Sequence, residues 1–212
     1  MVRMKSIQTK FIILILTGIL GAVLLVGLTA AYYATKSVDE HSERMLNLLC
    51  EERAGDIDAK MDNVEQSVNG MAEYSVKNLK SLESLKDEGY RDGYTDVIKR
   101  LASDITKNTE GAIAVYLRYN PEYSTNTAGF FMSKTSETDV FSDLPITDLS
   151  KYGPEDVEYA GWYYIPLANG KPTWMLPYQN LNNGFYMISY VVPMYVDGIF
   201  MGILGMDIDF RV

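Results

Sequence analysis

The chain has 212 residues, 47% of them hydrophobic, and a formal net charge of −9 from 19 Lys+Arg and 28 Asp+Glu. That length buries one substantial core rather than two large ones, and the acidic balance repels phosphate backbones, which argues against nucleic-acid binding. A single cysteine excludes an intrachain disulfide, and neither His41 nor Cys50 has companions at ligand spacing, so no metal site is expected.

Residues 11–33, "FIILILTGILGAVLLVGLTAAYY", carry no charge, and about 20 apolar residues span a bilayer's hydrocarbon core. Arg3, Lys5 and Lys10 precede the segment, while Asp39, Glu40 and Glu43 follow it. The positive-inside rule then predicts a cytoplasmic tail (1–10), a transmembrane helix (11–33) and an extracytoplasmic remainder. A cleaved leader is the alternative, since "LTAAYYA" offers small residues, but signal cores are usually about 7 to 15 residues long. Beyond the anchor, 16 Lys+Arg face 28 Asp+Glu, a balance that anionic lipid head groups repel.

Residues 34–78 read as a long stalk helix with no proline. Cys50, Ala54, Ile57, Met61, Val64, Val68 and Met71 recur at steps of three and four, an a/d seam. The seam either packs along the chain's own domain or forms a parallel dimer interface through Cys50, Ile57, Met61, Val64 and Val68. In the second case Cys50 faces its twin about 25 Å above the membrane, at 1.5 Å per residue.

A second helix follows in "YTDVIKRLASDITKNTEG", with Val97, Ile98, Leu101, Ala102 and Ile105 on one stripe and Gly111 just beyond its end. The period then changes to two. "AIAVYLRY" (112–119) alternates as a half-buried strand does, and "AGFFMSK" reads as a short strand. Residues 136–157 are polar, with Pro145, Gly153 and Pro154, and read as a loop with one short helix. Strands are predicted at 159–167, 171–177, 184–195 and 199–209, with hairpins at Asn169-Gly170 and Asp197-Gly198. Pro193 marks an edge or a bulge. The fold class is α+β: a transmembrane helix running into a stalk helix, then an antiparallel sheet (79–212) with helices on one face.

No G-x-S-x-G, Walker or H-E-x-x-H motif occurs, and His41 lies in the stalk as a solvated interfacial residue. Neither catalytic residues nor a cofactor are expected. Asp207 and Asp209 share a strand face and leave a surface hydrolase as a remote alternative. The aromatic cluster in "EYAGWYYIPLANGKPTWMLPYQN" is the informative feature. As a strand it sends Trp162 and Tyr164 one way and Tyr163 and Ile165 the other, with Trp174 returning opposite. Tyr and Trp pair apolar area with a polar tip, which suits amphipathic ligands, and Asp207 would complete an ammonium cage. Alternatively the rings fill the core.

"AIAVYLRYNPEYSTNTAGFF", "VEYAGWYYIP", "KPTWMLPYQN", "YMISYVVPMYVDG" and "GILGMDIDF" together resemble the membrane-distal half of a double Cache sensor domain, the PAS-like extracytoplasmic module of bacterial chemoreceptors, histidine kinases and cyclic-di-GMP enzymes. The resemblance implies a dimeric, membrane-anchored sensor that binds a small solute, an amine or an amino-acid-like ligand among them. It also implies a chain that stops before a membrane-proximal unit, a second membrane helix and an output domain. Amino-acid-binding members hold the carboxylate with an Arg-x-Trp-Tyr segment and the ammonium with a closing aspartate. Here Trp162, Tyr163 and Asp207 match, but Ala160 stands at the arginine position and Gln179-Asn180 follows the Pro-Tyr pair. The loss of the bidentate clamp puts a standard α-amino acid in doubt. The expected ligand residues are Trp162, Tyr163, Trp174, Tyr178 and Asp207, then Tyr116, Arg118 and Tyr190. A ligand-free dimerisation or scaffold module is the alternative function.

Overall fold

The computed structural model describes residues 7–135, 138–180 and 184–209. Contacts divide the chain into two units, Met1–Ile57 and Asp58–Val212. The proline-free run after residue 10 is realised as one helix, α1 (Ile7–Asn78). In the first unit its apolar side chains are exposed, Phe11, Leu14, Leu20 and Leu28 among them. The stretch is long and apolar enough to cross a membrane.

In the second unit, α1 turns Val64, Val68, Met71, Ala72 and Ser75 into the core. Val64, Val68 and Met71 are fully buried, each worth about 1.5–3 kcal/mol of apolar transfer. The expected dimer seam is therefore corrected at its upper end. Val64 and Val68 are used by the chain's own sheet, whereas Met61 is half-buried and Cys50 and Ile57 remain exposed. The last carbonyls of a helix lack intrahelical partners, and the Tyr94 hydroxyl supplies one to Ser75.

A 3-10 turn (Leu82–Lys86), closed by a capping box at Ser81 and Ser84, leads into α2 (Glu88–Lys107). Asp87 caps α2, its Oδ1 accepting from the Tyr90 N–H at 2.7 Å. The α2 stripe buries Tyr94, Ile98, Ala102 and Thr106.

Among the described residues seven antiparallel strands follow: β1 (Ala112–Tyr119), β2 (Gly129–Thr135), β3 (Thr138–Asp143), β4 (Thr173–Trp174), β5 (Tyr178–Gln179), β6 (Tyr186–Val196) and β7 (Ile199–Asp209). Their order is β3-β2-β1-β7-β6-β4, with β5 also on β6. Alternation separates two faces. Val115, Leu117, Tyr119, Tyr190, Val192, Leu204 and Met206 join the α1 and α2 core, while Ala114, Tyr116, Phe131, Val191 and Ile203 form a second cluster on the other face.

Four local expectations change. Residues 159–167 are not a strand but lie in a helix, α3 (Val157–Asn169), which covers the second face, so helices lie on both sides of the sheet. Asn169-Gly170 is not a hairpin turn: Gly170 is the left-handed C-cap of α3, at φ 62°, its N–H bonding the Pro166 and Leu167 carbonyls. One glycine signal serves either structure. The polar stretch after 136 contains β3, and the 171–177 strand shrinks to β4, separated from β5 by a break that includes Pro177. Pro193 keeps its expected freedom. Ser189 O accepts from Met175 N on the β4 side, so by alternation the N–H that Pro193 lacks would point the same way, past the end of β4. The Asp197-Gly198 hairpin forms, with positive φ at both residues (50° and 80°), as a type I′ turn requires.

Candidate ligand-binding site

α3 lies over the second sheet face because its spacing is helical. Ala160, Tyr163 and Leu167 fall at i, i+3 and i+7; Tyr163 and Leu167 pack on that face and Ala160 is fully buried. Beside them a cavity opens, lined by Tyr116 and Arg118 of β1, Phe131 of β2, Thr147 of the preceding loop, Trp162 of α3, Tyr178 of β5, and Asn180. Its enclosed space is small, about 30 Å³ for the centres of water-sized molecules, against about 340 Å³ when all the space out to its open mouth is counted.

The rings form a continuous wall. Tyr116 meets Phe131 edge-on at 6.2 Å and Trp162 at 5.4 Å, and Trp162 meets Tyr163 at 6.2 Å. Such edge-to-face pairs add about 0.5–1.5 kcal/mol each beyond area burial. Trp162 is anchored by its Nε1–H donating to the Tyr159 carbonyl at 2.9 Å. Tyr116 can lie flat because its register partner is Gly205, where a Cβ would come within 2.4 Å of the ring.

Arg118 is 2% exposed. Its Nε donates to Ala128 O at 3.3 Å, its Nη2 to Asn126 O at 2.6 Å, and its guanidinium lies 5.9 Å from the Trp162 ring centroid. Burial pulls its pKa down to about 10.

A buried polar chain runs behind the cavity. Ser189 Oγ donates to Asp207 Oδ1 at 2.6 Å, and Tyr178 OH stands 2.9 Å from Ser189 Oγ. Serine has one hydroxyl hydrogen, so Tyr178 is the donor of that pair. Asp207 is fully buried, its Oδ2 has no partner, and desolvation raises its pKa to about 7. The Tyr116 hydroxyl lies near this group without a well-formed hydrogen bond, and burial pushes its phenol well up, with the Asp207 charge adding to the effect. Burial likewise raises Tyr178.

The sequence-predicted residues are thus divided. Tyr116, Arg118, Trp162 and Tyr178 line one cavity. Tyr163 packs beside it, 3% exposed and 5.9 Å from Phe200. Asp207 is outside the lining and reaches it through Ser189 and Tyr178. Trp174 and Tyr190 face α1 instead. They pair in register and share a face, Trp174 Nε1 donates to Glu65 at 2.7 Å, and Asn69 Nδ2 donates to Tyr190 OH at 3.2 Å. Sequence reasoning missed Phe131, Thr147, Asn180 and Ser189 as site residues. Strand alternation reaches Phe131 and Ser189, but no local signal marks Thr147. Among the described residues no group of His, Cys, Asp and Glu has metal-binding geometry.

A family model for the methyl-accepting chemotaxis protein-like, first PDC sensor domain matches residues 97–212, more than half of the chain. The chain belongs to this family. In this PDC domain the match begins within α2 and takes in every strand and α3. Its fold is similar to that of the Campylobacter jejuni chemoreceptor Tlp3 sensory domain with isoleucine bound (19% identity, TM-score 0.48), covering 72% of this chain and 56% of that one. It is also similar to the ligand-binding domain of the Pseudomonas aeruginosa PAO1 amino acid chemoreceptor PctC in complex with GABA (17% identity, TM-score 0.46), covering 72% of this chain and 58% of that one. The chain therefore spans less than two thirds of the length of those domains. No curated protein matches it.

Proposed function

We propose that this PDC domain is the extracytoplasmic sensor of a membrane-anchored signalling protein and binds a small solute between α3 and the sheet. In this reading residues 1–10 form a cytoplasmic tail, 11–33 the membrane helix, 34–78 the stalk and 79–212 the sensor unit. The observation that carries it is the cavity: four rings, a buried arginine and an open mouth on the sheet face away from α1 and α2. Tyr116, Trp162 and Tyr178 grip the solute, and Tyr163 supports Trp162 from behind. Asp207 acts through Ser189 and Tyr178. Binding favours one of two arrangements of the sheet against the stalk, and a second copy of the chain, paired along the exposed part of the stalk, passes the difference on. That mechanism requires unequal ligand affinity for the two arrangements. The output module, a diguanylate cyclase, histidine kinase or chemoreceptor body, belongs to the same proposal.

The test is a thermal melt of the full chain in detergent against amino acids, amines, nucleobases and small carboxylates. A ligand at 100 times its Kd stabilises the domain by about 2.7 kcal/mol, a shift of several degrees. Trp162→Ala is expected to remove the shift while the domain still melts cooperatively. No shift with any class, from a cooperatively melting chain, would favour the ligand-free scaffold.

A further inference from the structure

Arg118 carries a charge that no carboxylate of the described residues pairs with directly. None of the ion pairs of the described residues includes it, so no carboxylate of theirs lies within 4.0 Å of its guanidinium. Asp148, an acid whose field reaches it, spends Oδ1 on the Ser150 backbone N–H (3.0 Å) and hydroxyl (2.7 Å). A guanidinium has five N–H donors, and among the described residues Arg118 directs only two of them, to the Asn126 and Ala128 carbonyls. A buried cation without a counter-charge is costly, yet the surrounding chain holds this one in place. Gly129 and Gly202, at φ 126° and 155°, bring the β2 and β7 backbones so close to β1 that a Cβ would strike the Leu117 or Arg118 carbonyl oxygen (1.9 and 2.2 Å).

Arg118 is also the one formal charge among the described lining residues, the rest being Tyr116, Phe131, Trp162, Tyr178, Thr147 and Asn180. We propose, resting on the sensor reading above, that the cavity's ligand is a small carboxylate, its oxygens on the free edge of the Arg118 guanidinium and its apolar part among Tyr116, Phe131 and Trp162. Planar carboxylate matches a guanidinium edge through two parallel hydrogen bonds, and the Trp162 ring beside Arg118 fixes the plane of that edge. Among the described lining residues no carboxylate offers an ammonium group an equivalent seat, since Asp207 is fully buried and outside the lining. The two charged residues also stand far apart. Asp207 pairs with Ala114 and Arg118 with Ile203, four residues of strand or about 13 Å, and the guanidinium turns to the Asn126 and Ala128 carbonyls on the β2 side. An α-amino acid, whose charges are adjacent, cannot engage both.

The experiment titrates the full chain in detergent with benzoate, benzylamine and benzyl alcohol, which share a skeleton, and with propionate and inorganic phosphate. Melting temperature is one readout. Fluorescence of a Trp174→Phe variant is the other, because Trp162 is then the only tryptophan and adjoins Arg118. Benzoate or propionate is expected to raise the melting temperature by several degrees and to change Trp162 emission. Arg118→Gln should weaken that binding at least tenfold, and Arg118→Lys should weaken it less. If Arg118→Gln fails to fold, the benzoate and benzylamine titrations of the Trp174→Phe chain still decide. Equal or stronger binding of benzylamine or benzyl alcohol, binding of phosphate alone, or unchanged benzoate affinity in Arg118→Gln overturns the carboxylate assignment and leaves the sensor cavity standing. Silence from every probe in both readouts, with cooperative melting, overturns both.

Discussion

Asp207 shows how one buried acid shapes the behaviour of the site. Its pKa is raised from the ordinary carboxylate range to about 7 by desolvation, and the Ser189 hydrogen bond offsets only part of that rise. The sign of the linkage follows. Between pH 4 and pH 7 the unfolded chain releases this proton while the folded chain keeps it, so stability falls across that window and levels off above it. The loss amounts to a few kcal/mol. Asp207→Asn is expected to flatten the pH dependence and to melt above the parent chain at pH 8, checked by melting curves from pH 4 to 8. A parent chain whose stability rises through that window would contradict the burial argument. Gly205→Ala probes the same floor from another side. Its methyl would meet the Tyr116 ring at 2.4 Å, and overpacking of this kind costs about 1–3 kcal/mol. The variant should lose both stability and ligand response, whereas Trp162→Ala, at a half-buried position, should lose mainly the response.

α3 and the upper part of α1 carry the architecture that surrounds these residues. α3 ends because Gly170 takes a left-handed conformation, which a side chain adopts at a cost of roughly 1 kcal/mol. Gly170→Ala should lower stability by about that much in denaturant titration. Met71 on α1 is fully buried among strand residues, so Met71→Ala should cost about 2–5 kcal/mol. A near-neutral Met71→Ala would mean that this turn of α1 does not pack on the sheet in solution. The two helices differ in how far their sequences announced them. The α1 and α2 stripes were legible because each has a single dry face, as Val64, Val68 and Ile98 show. α3 was not, because its run of Trp, Tyr and Ile favours strands and it is apolar on several sides, with Trp162, Tyr163, Tyr164 and Leu167 all packing on the second face. Pro166, which cannot donate to the Trp162 carbonyl, weakened the helical signal further.

For the whole protein, the proposed dimer seam is tested at its exposed lower part. Cys50 and Ile57 are exposed, unlike Val64 and Val68. If two stalks pair there, mild oxidation of membranes containing the protein should give a covalent dimer that is absent in Cys50→Ser. A chain that stays monomeric under those conditions would remove the dimer seam from the functional proposal. Protease added outside intact cells should cut within residues 34–212 and spare the N-terminal tail if the anchor runs as its flanking charges predict.

Periodicity, charge and turn chemistry were enough to read the membrane-length helix, the α2 stripe, β1, β7 and the Asp197-Gly198 hairpin. Each depends on contacts near in sequence or on a simple alternation between wet and dry. The resemblance to the sensor family was also written in the chain, in motifs that keep their order along the sheet. The site was only half legible. Tyr116, Arg118, Trp162 and Tyr178 come from β1, α3 and β5, and nothing local says that these elements converge. Nor does anything local say that Trp174 and Tyr190 turn toward α1, or that Asp207 withdraws behind Ser189. Those outcomes depend on strand register and on which face each helix covers, and both are settled by packing between residues as much as 121 positions apart, as in the Asn69–Tyr190 pair.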